Sequence, residues 1–207
     1  ERRAQLGLAA AARLGVAVAF EQPLLVGRHP VDDLRRRQLV ALDDDVDLPA
    51  DRLLGEEGKG FYSLMHTFDE SRIHLAAGAV GIARAALDYS IEYASSRNAF
   101  GKPIGRHQAV GFRLADMATR IDAARLLTHR AARMMDAGRH VPAEAAMAKL
   151  FASETAMWCT WAAVQTLGGW GYSREYPVEK WMRDAKLEEI EEGTSDIQRL
   201  IISRRLL

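Results

Sequence analysis

The sequence predicts an all-α fold: an up-and-down four-helix bundle with a short C-terminal helix, preceded by a short irregular or β remnant. Three observations carry this reading. From Phe61 onward, apolar residues recur three and four apart over runs much longer than a strand. Helix stops punctuate the runs, at Gly101-Lys102-Pro103, at Gly138 with Pro142, and at Gly168-Gly169. The connections are short and polar, as between neighbours in a bundle.

Residues 1–38 are unassigned. Leu6 to Phe20 is alanine-rich and reads as a helix weakened by Gly7 and Gly15, and Arg35-Arg36-Arg37 reads as a solvated patch. Residues 39–56 read as a short strand, Leu39 to Leu42, followed by the acidic turn Asp43-Asp44-Asp45 and a linker through Pro49 and Gly55. The helical domain is expected over 57–207. Its first helix carries Leu64, Phe68, Arg72, Ala76, Ala79, Val80, Ala83 and Leu87 on one face and ends near Arg97. At 1.5 Å per residue it is roughly 50 Å long. The small residues from Ala76 to Ala86 permit close approach of a neighbouring helix or a ligand.

The second helix runs from about Arg106 to Ala137, with Leu114, Met117, Ile121, Ala124, Thr128, Ala131 and Met135 on one face. The third starts after Pro142 and ends at Gly168-Gly169. Its Met147, Leu150, Phe151, Met157, Trp158, Trp161 and Val164 read as core. A fourth spans Pro177 to Leu187. Glu192 follows, against Gly193, which breaks regular structure. Ser195 with Gln198 three residues on has the form of a capping box, which makes Ser195 the expected N-cap of the last helix. Glu192 then sits in a loop beside the positive end of that helix, where backbone N–H groups suit an anion or a polar cofactor edge.

Composition narrows the function. Of 207 residues, 48% are hydrophobic, enough for a sizeable core, and 28 Lys+Arg balance 28 Asp+Glu. Nothing in that balance draws the chain toward nucleic acid or an anionic membrane. No apolar run is long enough to span a bilayer. The single cysteine, Cys159, excludes an intrachain disulfide. The six histidines form no H-x-x-x-H or Cys/His ligand set, so no metal site is expected. There is no G-x-S-x-G elbow and no P-loop, and Gly169-Trp170-Gly171 does not continue to the third glycine of a dinucleotide fingerprint. The chain opens on Glu1 rather than Met, which reads as a fragment or a processed product.

Four stretches, in order, resemble one family. They are "VDLPADRLLGEEGKGF", "SRNAFGKPIGRHQAVGFRLADMA", "AVQTLGGWGYSREYPVEKWMRDAK" and "RDAKLEEIEEGTSDIQRLI". Each resembles a segment of the acyl-CoA dehydrogenases, and together they cover about Leu39 to Leu207. The resemblance implies an FAD enzyme that desaturates an acyl-CoA thioester between its α and β carbons. It also implies a homo-oligomer, dimer or tetramer, and an electron-transfer flavoprotein as acceptor. The location would be the cytoplasm of a bacterium or the mitochondrial matrix. Residues 1–38 do not resemble what such enzymes carry before their helical domain, where β-strands and a flavin-binding loop are expected.

Carried over residue by residue, the resemblance makes Glu192 the base that removes the α proton. Arg97 matches the arginine on the FAD diphosphate, where its planar fork suits a pair of phosphate oxygens. Phe100 and Gln108 match flavin contacts. Gln165, Gly168 and Gly169 match contacts to the FAD of a neighbouring subunit, and Thr194 and Asp196 match positions where the last helix meets FAD. Asp69, Arg72 and Gly193 match substrate contacts. The alternative for Arg72 is a salt bridge within the bundle, and for Arg97 a charge at a helix C-terminus. Relatives that take their base from the first helix have it where Ser71 stands, beside Glu70. Glu191 stands where many relatives have an aromatic residue, and it is expected to point toward solvent. Two rival readings remain: a catalytically incomplete bundle acting as an assembly module, and a flavin monooxygenase-like relative. Retention of Glu192-Gly193-Thr194 argues against the second.

Overall fold

The computed structural model describes residues 55–56 and 58–207. The expected N-terminal helix, the strand at Leu39 to Leu42 and the acidic turn lie outside the described residues. Contacts divide the chain into residues 1–67 and residues 68–207, and the bundle core and the Glu192 loop lie in the second unit.

The described chain is all-α, as its periodicity predicts. Helix α1 spans Gly60–Ser96, its first turns belonging to the other unit. A two-residue hairpin follows, β1 (Asn98–Ala99) against β2 (Lys102–Pro103), antiparallel with Asn98 opposite Pro103. A 3-10 turn, Ile104–Arg106, leads into α2, Gln108–Asp136. Then come α3 (Pro142–Leu167), a 3-10 turn over Gly168–Tyr172, α4 (Val178–Glu188) and α5 (Ser195–Leu206). The hairpin is not foreseen by the sequence pattern. Its turn residues Phe100 and Gly101 both take positive φ, +52° and +81°, the geometry that matches the twist of a tight hairpin. Phenylalanine is an uncommon residue there.

Alanine makes the core. Ala76, Ala79, Ala83 and Ala86 of α1, Ala124 and Ala131 of α2, and Ala145, Ala148, Ala152 and Ala156 of α3 are all buried. Small side chains let helix axes come close, and Met117, Ile121, Leu87 and Leu167 fill the wider gaps. Helix α3 is the central element, packed by α2, α4, α5 and the 3-10 turn that follows it. This corrects the expected α3 core. Trp161 is 46% exposed, and Phe151, Met157, Trp158 and Val164 are only partly buried. A helix with neighbours on several sides has no room for bulk at its contacts, so its large residues go to the flanks. There Arg120 lies 4.4 Å over the Trp158 ring. Tyr89 of α1 makes edge contacts with Tyr176 and with Trp181 of α4. Cys159 is fully buried on α3, and burial pushes its thiol up to about 12. Among the described residues, no helix is long and apolar enough to cross a membrane.

Candidate active site

Glu192 occupies the loop between α4 and α5, and its backbone is unusual. Its φ is +49°, in the left-handed region that a residue with a Cβ avoids, and Gly193 follows at φ +98°. A Cβ on Gly193 would come within 2.9 Å of Gln198 Nε2 and 3.0 Å of Ile197 Cγ2, so only glycine fits. Side chains reaching in from three helices hold this conformation. Arg72 Nε of α1 donates to the Glu192 carbonyl at 3.3 Å. Gln198 Nε2 of α5 donates to the Glu192 and Gly193 carbonyls at 3.2 and 2.8 Å. Lys149 Nζ of α3 donates to the Gly193 carbonyl at 3.0 Å. Arg72, Lys149 and Gln198 are 3%, 1% and 0% exposed.

The carboxylate itself meets α1. Ser71 Oγ donates to Glu192 Oε2 at 2.5 Å, which fixes one oxygen and leaves the other for chemistry. Ser71, where the family resemblance would place an alternative base on the first helix, thus lies beside Glu192 as a hydroxyl. Glu70 beside it is exposed. Arg72 also donates to Asp69 Oδ1 at 2.9 Å and lies over the Phe68 ring. Of the two readings for Arg72, the salt bridge within the bundle is present, and its guanidinium works beneath the loop.

Charges crowd this loop. Burial pushes the Glu188 carboxyl up to about 7, and Glu191 and Glu192 nearby add to the rise while Lys149 opposes it. Burial also raises Glu191, with Glu192 adding to it. Glu191 is half-buried and faces the field of Lys149, contrary to the expectation that it points into solvent. Burial lowers Lys149 and Arg72, and the surrounding carboxylates partly restore them. The cap of α5 also differs from expectation. Thr194, not Ser195, is the N-cap, its side chain accepting from Ile197 N at 3.5 Å. Gln198 is thereby released from a capping box and spends its amide on the loop carbonyls.

A second cluster lies where α1 ends. Arg97, Tyr93 and Ile104 face Gly168, Gly169, Trp170 and Ser173 across an open cavity of about 630 Å³. Arg97 is exposed, and a Cβ added at Gly168 or Gly169 meets nothing within 4 Å. An exposed cation lining the same cavity as a bare stretch of backbone can receive an external anion.

Residues 58–207 match the family model described as acyl-CoA dehydrogenase, C-terminal domain.

The chain belongs to the acyl-CoA dehydrogenase family.

It is 54% identical, over 79% of its length, to a probable acyl-CoA dehydrogenase of Bacillus subtilis, of which it covers 43%. It is 52% identical, again over 79% of its length, to the mitochondrial short-chain specific acyl-CoA dehydrogenase of Bos taurus, of which it covers 40%. The butyryl-CoA dehydrogenase structure from Megasphaera elsdenii matches 78% of the chain with a TM-score of 0.76 at 49% identity, 42% of that chain being covered. The chain therefore spans about two fifths of the length of these acyl-CoA dehydrogenases.

Most of the residues that the family resemblance singles out fall into two groups. Glu192, Gly193, Asp69 and Arg72 meet at the Glu192 loop, and Thr194 and Asp196 open α5 beside them. Arg97, Gly168 and Gly169 line the cavity, while Gln165 is exposed one turn earlier on α3 and is not among its lining. Phe100 is 95% exposed at the hairpin tip, and Gln108 is exposed at the start of α2. The side chain of Asp196 is 94% exposed, 3.4 Å from Arg199. Sequence reasoning missed Ser71 as a partner of Glu192, and it missed Lys149 entirely. The signal for Lys149 was a lone cation inside the apolar run Ala145-Ala146-Met147-Ala148-Lys149-Leu150.

Proposed function

We propose that the protein containing this chain desaturates an acyl-CoA thioester, with Glu192 removing the α proton. Residues 57–207 form the C-terminal helical domain of that enzyme. The observation that carries the reading is the fixed Glu192 carboxylate: a strained loop, pinned through both of its carbonyls, presents one oxygen held by Ser71 and one left to accept a proton. A base held in one geometry gains rate by orientation as well as basicity. Asp69 and Gly193 stand on the substrate side, and Arg72 acts through the loop.

Arg97, Gly168 and Gly169 would hold FAD from the cavity side, with Phe100, Gln108, Gln165, Thr194 and Asp196 as further contacts. FAD, when bound, supplies the acceptor for hydride from the β carbon. The chain's own contribution is to orient the thioester, keep water out and take the proton at Glu192 Oε1. A partner flavoprotein for onward electron transfer and a homo-oligomeric assembly complete the proposal.

The test is Glu192→Gln in the flavin-loaded full-length protein, followed by anaerobic bleaching on adding butyryl-CoA. The variant should keep its fold and its flavin and lose about 10²–10⁴-fold in reduction rate. Bleaching at the wild-type rate would overturn the assignment. A full-length protein with no flavin absorbance would favour the assembly-module reading.

A further inference from the structure

Three buried donors converge on two consecutive carbonyls, and they are not equivalent. Gln198 belongs to α5, the helix that continues directly from the loop it holds. Arg72 reaches only the Glu192 carbonyl. Lys149, on the central helix α3, is the donor that ties the Gly193 carbonyl to the body of the bundle, at 3.0 Å. Among the described residues no carboxylate lies within ion-pair distance of Lys149, although Glu188 and Glu191 face it electrostatically. A fully buried ammonium is costly, and a carbonyl can be satisfied by a neutral group, so simple hydrogen-bond economy does not explain a lysine here. The cation sits behind a loop that carries Glu188, Glu191 and Glu192. Its charge attracts the two carboxylates that are not pinned by Ser71, and both are partly buried.

We propose that Lys149 is a positioning residue for Glu192: it clamps the Gly193 carbonyl, fixes the left-handed turn, and keeps Glu191 turned toward the interior so that Glu192 alone is presented. The proposal rests on the reading of Glu192 as the base. Lys149 touches neither substrate nor cofactor in it, so its effect should appear in the reaction step and not in binding.

The test compares wild type, Lys149→Met and Lys149→Arg in the flavin-loaded full-length protein. Met keeps the length and apolar stem and removes both donor and charge; Arg restores both. Hydrogen exchange read by mass spectrometry should be about tenfold faster in Lys149→Met for the peptide spanning 188–198, with α2 protection unchanged. Flavin reduction at saturating butyryl-CoA should slow by about 10²-fold, with half-saturation changed by less than about twofold. Lys149→Arg should recover most of both. If Lys149→Met does not fold, Lys149→Gln, too short to reach Gly193, must show the same local loosening. Equal loop exchange in wild type and variant overturns the proposal, and so does equal acceleration of the loop and α2, which would mark a merely structural lysine. Should the wild type fail to bleach with any acyl-CoA, the desaturase reading falls, while the exchange arm still decides whether Lys149 holds the loop.

Discussion

Glu188 is the residue whose environment has the clearest consequence in solution. Its carboxyl rises from the ordinary value of 4.5 to about 7, chiefly through burial. Between those values the folded chain holds a proton that the unfolded chain has released. Stability from this group is therefore highest at acid pH and declines as pH rises toward 7. Glu188→Gln removes the titration, so its melting temperature should exceed that of wild type at pH 8 and match it near pH 4, below the unfolded value. Calorimetry at both pH values checks the sign, and a larger gain at pH 4 would refute it. This behaviour was not legible in the sequence. Glu188-Glu189-Ile190-Glu191-Glu192 reads as an acidic, solvated helix end, and only packing against α1 and α3 distinguishes its members. Glu188 lies within 4.0 Å of the Cβ position of Gly78, far away in sequence. Ser71 and Glu192 are 121 residues apart, and no local pattern couples them. What the sequence did carry was the loop itself: a glutamate, a glycine and a helix start in immediate succession.

The helices were legible for a plain reason. Their ends are written in glycine and proline, and their buried faces in a 3.6-residue period. Among the described residues, all five helices lie within about two residues of the expected boundaries. The large α3 side chains misled, because size signals burial only when a helix has one neighbour. The 3-10 turn after α3 is less visible in sequence and more constrained in structure. A Cβ on Gly171 would come within 2.7 Å of the Val164 carbonyl, so the turn folds tightly back on the helix that precedes it. It thereby faces Arg97 across the cavity. If this face receives the FAD diphosphate, Arg97→Ala should weaken flavin retention more than Arg139→Ala, by about 1.5–3 kcal/mol for a lost charge-assisted contact. Flavin content after gel filtration measures it, and equal content in both variants would give Arg97 a structural role only.

For the whole molecule, the exposed apolar residues set the next expectation. Phe112 and Leu126 of α2 are 61% and 65% exposed, and Trp161 of α3 is 46% exposed. Large apolar residues on a bundle's outer surface mark faces that meet another chain. Sedimentation at micromolar concentration should therefore show association beyond the 23.0 kDa of a single chain. A lone species at that mass would argue against it.

The buried thiol on α3 offers a clock. The chain has one cysteine, and Cys159 is enclosed by the helices that pack the central one. A thiol held up to about 12 and shut off from solvent cannot be alkylated until the core opens, whereas an unfolded chain exposes it at once. Reaction with a thiol reagent in native buffer should thus proceed at the rate the bundle breathes, much more slowly than a free cysteine. Flavin, substrate or a second subunit that tightens the core should each lengthen that time. Followed at Cys159 by mass spectrometry of its peptide, the delay reads the free energy that each of them adds.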